Sequence, residues 1–393
     1  MKLSQISQKV PRSQGWYRTR GSRRIPAALA VLAVLGRVQA DSLQIIPPLS
    51  GGAFVAPSGV SGNGSVVSGT SFFPSEDADR GLTWTSGGGS QAIVGAPISF
   101  GLGISANGTT AVGMAFNDDF NIFAYRYRNN AMESLGSLDG TGFNAQANGV
   151  NQDGSVVTGQ STLAGGTDRA FRWTSAGMQN LGVLAGGTYS LGLAINGVGD
   201  VVVGNGNANG ASRAFRWTES GGMTALGSLA GSSFDGAYAV TKDGNTIAGI
   251  SAGNAVRWVN GTAFSLGSVA DVTGSSAQAV SGNGQLIGGT AMGSPTRGSE
   301  AFVWSSGTGM LLLEDLLASR GVDLTGWELQ WVTGISADGT ALVGTGTFNG
   351  HSAGWVVNNF SAIPEPTAMA AAIGLLGFGA VVARRRCRRQ TPA

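Results

Sequence analysis

The 393-residue sequence holds one cysteine, one histidine and little charge. The cysteine, Cys387, lies near the C-terminus. The rest of the chain therefore forms no internal disulfide and no thiolate metal site. A lone His351 builds no histidine-based metal cluster. Charged residues make up 12%, about half the usual fraction. Apolar residues make up 42%, which excludes charge-driven disorder. Glycine is the contrast, with 66 residues. That much glycine opposes long helices, and it carries no collagen period. What remains is an all-β chain with many tight turns.

The formal charge of +2 hides an asymmetry. Residues 1–40 carry 8 Lys/Arg and no acid, and residues 363–393 carry 5 Arg and one Glu. Residues 41–362 are left with 11 bases and 21 acids, a net charge of −10. A body of that sign repels phosphate backbones, so no nucleic-acid partner is expected.

The two ends read as addresses. Arg18, Arg20, Arg23 and Arg24 precede an apolar run of 11, Ile25–Leu35. Val38-Gln39-Ala40 follows, which suits signal-peptide cleavage between Ala40 and Asp41. The run is short for a retained membrane anchor, the competing reading. At the other end, Pro364-Glu365-Pro366 leads into apolar Thr367–Ala383 and then Arg384, Arg385, Arg386, Arg388 and Arg389. A short apolar helix ending in positive charge stops in a bilayer with the arginines on the cytoplasmic side.

Between the ends one unit recurs seven times. Its turn glycines are Gly64, Gly108, Gly154, Gly199, Gly244, Gly284 and Gly339, spaced 44, 46, 45, 45, 40 and 55 residues apart. An aromatic phrase follows each turn, as in Ala170-Phe171-Arg172-Trp173, and most copies add a Leu-Gly phrase such as Leu181-Gly182-Val183-Leu184. Asn-Gly and Asp-Gly favour two-residue hairpins. Each unit is then four strands: a before the turn, b after it, c with the aromatic phrase and d with the Leu-Gly phrase. Four strands in about 45 residues is the scale of a propeller blade. The last unit lacks a d strand. Gln44–Gly52 aligns with Gln179–Gly187, so the N-terminus can supply it. The expectation is a seven-bladed β-propeller of four-stranded blades, closed by an N-terminal outer strand, with hydrophobic N- and C-terminal helices outside it. A β-solenoid lacks this reason for a spare strand. The long sixth spacing contains Leu311–Ser319, read as the end of a d strand followed by a short helix or loop, with a strand from Trp327.

Candidate chemistry is sparse. Gly249-Ile250-Ser251-Ala252-Gly253 matches the nucleophile pattern G-x-S-x-G, yet falls on a repeated strand b without a nearby histidine in sequence. The Asp-Gly turns lack the acid density of a calcium loop. Asn63, Asn107 and Asn260 fit the N-x-S/T sequon. Arg172 and Arg216 recur within the aromatic phrase, where a structural slot competes with stacking on sugars or bases. Trp84, Trp173, Trp217, Trp258, Trp304 and Trp355 read as inter-blade core before they read as a sugar platform. Glu76, Asp77, Asp79, Asp118 and Asp119 fall in b–c connections. Solvated loop charge competes there with Ca²⁺ binding or a carboxylate pair about 5–9 Å apart, as glycosidases use.

The C-terminal motifs resemble the PEP-CTERM sorting signal of Gram-negative bacteria. That resemblance implies handling by an exosortase, transient anchoring in the inner membrane, and a body released or held at the surface. The aromatic phrases resemble the HAF repeat of bacterial extracellular proteins, with alanine in place of the motif's histidine. No cofactor and no catalytic residue is assigned. The resulting expectation is a secreted or surface-sorted non-enzymatic propeller, a matrix component or a binder of polysaccharide or protein. The alternative is a propeller enzyme acting on extracellular glycans.

Overall fold

The computed structural model describes residues 41–74, 78–294 and 298–360. The leader, the sorting tail, both expected terminal helices, Glu76 and Asp77 lie outside the described residues. Seven four-stranded antiparallel sheets form seven blades, each ordered a-b-c-d. In six the strands are contiguous in sequence; blade 4, for example, is Ser190–Ile195, Val201–Ala208, Ala211–Thr218 and Gly222–Ala225. Blade 7 is composite. Trp327–Ile335, Leu342–Phe348 and His351–Asn358 are joined by Ser42–Ile46 from the N-terminus. The pairing runs from Ser42 opposite Asn358 to Ile46 opposite Gly354. Head completes tail, and the outer edge of His351–Asn358 is covered.

The Leu-Gly phrase does not form strand d, as the repeats suggested. Where the phrase occurs, the d strand is a four-residue segment just before it, such as Gly177–Asn180. The first leucine still donates its N–H to strand c, Leu181 to Ala170 O at 3.0 Å and Leu226 to Ala214 O at 2.9 Å. Its side chain is buried, which contributes about 2 kcal/mol. The following Gly182 has φ +79°, so the chain leaves the ladder there.

Seven apolar clusters fill the molecule, one at each junction between neighbouring blades. Between blades 2 and 3, Val112, Ala124 and Leu135 meet Ala147, Val157, Phe171 and Trp173. Between blades 7 and 1, Ile46, Val343 and Val356 meet Val55, Leu82 and Trp84. The tryptophans are thus inter-blade core. Trp355 is the exception to the alignment. It pairs with Gly344 as Phe215 pairs with Gly204, so it fills the phenylalanine slot of its blade. A methyl group on Gly344 would lie 2.3 Å from the indole, so this slot requires glycine.

The one helix among the described residues, Leu313–Ser319, occupies the long sixth spacing, and it is not long and apolar enough to cross a membrane. It buries Leu313 and Leu317. Just after it, Arg320 pairs with Asp41 at 2.8 Å and stacks on Phe360 at 4.8 Å. One side chain therefore fastens the first and last described residues of the ring.

Candidate binding channel

Seven strands a line the axis, and each carries a β-bulge at the same place. The register slips across Ser58, Leu102, Asn148, Leu193, Tyr238, Gln278 and Thr333. A bulge re-aims a side chain. All seven of these residues line one open cavity of about 270 Å³. The surrounding sequence explains the geometry. Apart from Ser58, which follows Pro57, each bulged residue sits between small or β-branched neighbours, as in Ala237-Tyr238-Ala239-Val240 and Gly101-Leu102-Gly103-Ile104. The flanking positions are constrained by packing between strands, whereas the bulged one varies from blade to blade.

The last residue of each strand a is β-branched: Val60, Ile104, Val150, Ile195, Val240, Val280 and Ile335. These seven line both the bulge chamber and a second cavity of about 430 Å³ at the a–b turns. They form an apolar neck between the two. Around the turn end runs a closed circle of backbone hydrogen bonds. Gly62 N donates to Ala106 O, Asn107 N to Gln152 O, Gln152 N to Gly197 O and Gly197 N to Lys242 O. Lys242 N then donates to Gly282 O, Gly282 N to Ala337 O, and Asp338 N to Gly62 O. Each blade is tied to the next, including the seventh to the first.

The a–b turns are not the two-residue hairpins expected from Asn-Gly and Asp-Gly. They are longer loops in which only the glycine has positive φ, +74° at Gly64. The preceding Asn or Asp serves as an acceptor. Asp243 Oδ1 receives Thr241 Oγ1 at 2.5 Å and Asn245 N at 3.1 Å. These bonds, the side-chain one first, hold the Asp243 carboxyl below the usual carboxylate range. Ser155 does the same for Asp153. Two-residue turns with both residues at positive φ occur elsewhere, at Asn209-Gly210, Asn260-Gly261 and Asn349-Gly350. The longer loop is needed at a–b because it must also reach the neighbouring blade.

The chamber is neutral. Among the described residues no Lys, Arg, Asp, Glu or His lines it. Burial pushes the Tyr238 phenol up, so it keeps its proton. Asn148 Nδ2 donates to Gly192 O at 2.8 Å and Thr333 Oγ1 to Pro57 O at 2.8 Å, each to the next blade. Ser58 Oγ donates to Ser68 O at 3.2 Å.

The residues singled out by sequence do not assemble a catalytic centre among the described residues. Ser251 is buried and donates to Asp235 Oδ1 at 2.5 Å while accepting from Leu229 N. Ser71 and Ser161 accept from Leu49 N and Leu138 N in the same slot, so Ser251 is a structural position of the repeat. His351 is exposed, opposite Phe348 at the blade 7 b–c turn. Asp79 Oδ1 accepts from Phe73 N. Asp118 and Asp119 are exposed in a loop organised by Asn117. Arg172 Nε donates to Gly199 O of the next blade at 2.7 Å, a structural tie. Arg126 and Arg257 stack on the next blades' Trp173 and Trp304. No group of three or more His, Cys, Asp or Glu among the described residues is placed to hold a metal ion.

No protein-family model matches the chain. No curated protein matches it in sequence. Solved structures share the fold. Oligogalacturonate lyase from Vibrio parahaemolyticus matches with TM-score 0.53 and 10% identity over 80% of this chain and 93% of that one. A prolyl endopeptidase matches with TM-score 0.51 and 9% identity over 86% of this chain and 53% of that one. TolB from Acinetobacter baumannii gives TM-score 0.44 and 12% identity over 63% of this chain. The match spans 62% of the TolB chain. The chain is a seven-bladed propeller. At these identities the likeness extends to the fold alone.

Proposed function

We propose that this propeller is an exported, non-enzymatic binding protein that takes an extracellular partner, a polysaccharide or a protein, at its central channel. The bulge ring carries this reading. Seven blades use one backbone device to present seven side chains to one chamber, and their identities vary where the scaffold's do not. Those side chains offer hydrogen bonds and apolar surface without an ionised group, which suits recognition more than acid–base chemistry.

Export and sorting follow from the termini. A signal peptide cleaved between Ala40 and Asp41 delivers the body. Insertion of 367–383, arrest at Arg384–Arg389 and recognition of Pro364-Glu365-Pro366 by an exosortase then place it at the surface or in the extracellular matrix. The inner membrane is a transient partner.

Incubation of the ring, residues 41–362, with extracellular polysaccharides is expected to retain protein on the polymer and leave polymer length unchanged. New reducing or unsaturated ends would refute the non-enzymatic reading. Deletion of 363–393 is expected to abolish surface retention; unchanged fractionation would refute the sorting mechanism.

A further inference from the structure

Two of the five polar side chains in the bulge ring differ from the others. Asn148, Thr333 and Ser58 are engaged with protein carbonyls. The Tyr238 hydroxyl and the Gln278 amide make no hydrogen bond among the described residues. They occupy equivalent positions on neighbouring blades 5 and 6. Tyr238 lies over its own strand, and a methyl group on Gly236 would come within 2.8 Å of its hydroxyl. Glycine there makes room for the ring. Blades 2, 3, 4 and 7 carry larger residues in this layer, Phe100, Gln146, Leu191 and Trp331, while blade 6 has Ser276 and blade 1 has Ala56. Blades 5 and 6 are therefore the one neighbouring pair in which both residues of this layer are small, because Ala56 stands between Trp331 and Phe100.

Sevenfold geometry fixes what faces the pair. The blade opposite the junction of 5 and 6 is blade 2, whose bulged residue is Leu102. A polar edge and an apolar wall thus confront each other across a chamber that no charged side chain among the described residues lines. A sugar ring has matching faces, hydroxyls at its rim and C–H groups on its flat side. A carboxylate or ammonium group would lose its hydration there without a counter-charge.

We propose that Tyr238 and Gln278 are the recognition pair for one neutral sugar residue. The Gln278 amide donates to one hydroxyl of a vicinal diol and accepts from the next. The Tyr238 hydroxyl binds a third, and Leu102 packs on the C–H face. The cavity, about 270 Å³, lies at the small end of ligand sites, ~300 Å³, which suits a single residue or chain end. This inference rests on the binding reading above.

The test titrates the ring, residues 41–362, with the methyl glycosides of glucose, galactose and mannose and with the corresponding uronic acids. Saturation-transfer NMR and calorimetry are the readouts. At least one neutral glycoside is expected to bind, with the uronic acids weaker by about tenfold, the factor for ~1.4 kcal/mol. Tyr238→Phe is expected to weaken binding by about tenfold, the loss of one good hydrogen bond, and Gln278→Ala, which removes two, by more than about tenfold. Both variants are expected to keep the wild-type melting temperature. Sugar binding that neither variant changes would overturn the recognition pair and leave the binding reading standing. Preference for the uronic acids would overturn the neutral-ligand assignment. Absence of binding to these probes and to a glycan array would overturn the assignment of a sugar ligand, and protein retention on polysaccharide would still test the broader reading separately.

Discussion

Blade 7 and blade 4 have the same four strands but hold them differently. Blade 4 is contiguous, and its junction with blade 5 is made by a distributed clasp. Buried Asp235 accepts from Ser228 at 2.6 Å, Ser232 at 2.7 Å, Ser251 at 2.5 Å and Arg213 at 3.2 Å. Blade 7 is assembled from both ends of the ring, so no short connection links its outer strand to the strand it pairs with. Its fastening is concentrated. Arg320 bonds Asp41 and covers Phe360, and Glu314 of the preceding helix accepts from Leu329 N. The extra residues of the sixth spacing supply these groups. Where the chain itself does not enforce proximity, side chains do.

The largest effect is expected from removing that strand. Deletion of 41–46 uncovers the edge of His351–Asn358 and strips Ile46 and Asp41 from the seam. Stability is expected to fall by about 5 kcal/mol, from lost apolar burial and a broken buried pair. Association through the exposed edge is also expected. Urea unfolding and size-exclusion chromatography read both. A monomer of unchanged midpoint would break the contrast between seam and interior.

A smaller change tests the concentrated clasp against the distributed one. Arg320 is partly exposed, while the Asp41 side chain is only 2% exposed. Arg320→Ala is expected to cost about 2–3 kcal/mol, reduced from the value for a fully buried pair. Arg213→Ala leaves Asp235 with three hydroxyl donors and is expected to cost about 1 kcal/mol. Equal losses in urea midpoint would show that the two junctions are fastened alike.

The same contrast separates what was legible in the sequence from what was not. The duplication, the four-strand unit and the spare N-terminal strand are periodic, and period survives in one sequence. The closure of blade 7 could be read because Gln44–Gly52 repeats Gln179–Gly187. Strand d was misplaced because Leu181 is strand-like by composition; the positive φ of Gly182 ends the ladder, and Leu181 makes only its first bond beyond the strand. Trp355 was aligned on its identity, while the register places it by its partner Gly344. The channel was missed because its signal is inverted. Tyr238 and Gln278 stand where the repeat varies most, each between two alanines, and repeat reading attends to what recurs. The bulge that aims them has no composition of its own.

Acid should grade the turns in the same way. Asp153, Asp243 and Asp338 occupy a slot that is Asn63, Asn107 and Asn283 in other blades. Hydrogen bonds hold Asp153 and Asp243 below the usual carboxylate range. At Asp338 burial pulls upward, and bonds from Ser336 and Thr340 outweigh it. With folded values depressed, the unfolded chain binds more protons in the acid range. The contribution of these groups is complete above about pH 4, the unfolded value, and is lost as pH falls through the folded ones. The triple variant D153N/D243N/D338N is expected to flatten the fall in urea midpoint between about pH 4 and 2. An unchanged slope would assign acid sensitivity to other groups.

The smallest expected effect is a gain. The b–c turn of blade 7 is Asn349-Gly350, with φ +51° and +78°. Blade 5 makes the same turn with Ala252-Gly253, at φ +49° and +75°. Alanine has no side-chain amide to support this conformation, and its Cβ crowds the following carbonyl, at about 1 kcal/mol. Asparagine tolerates it. Ala252→Asn leaves the Ala252 N–H bond to Ser232 Oγ in place, because that bond is backbone. Its expected effect is a gain of about 0.5–1 kcal/mol in urea unfolding. The reverse change, Asn349→Ala, is expected to lose a similar amount. If the two substitutions fail to mirror each other, the seam's turn carries a load that the interior turn does not.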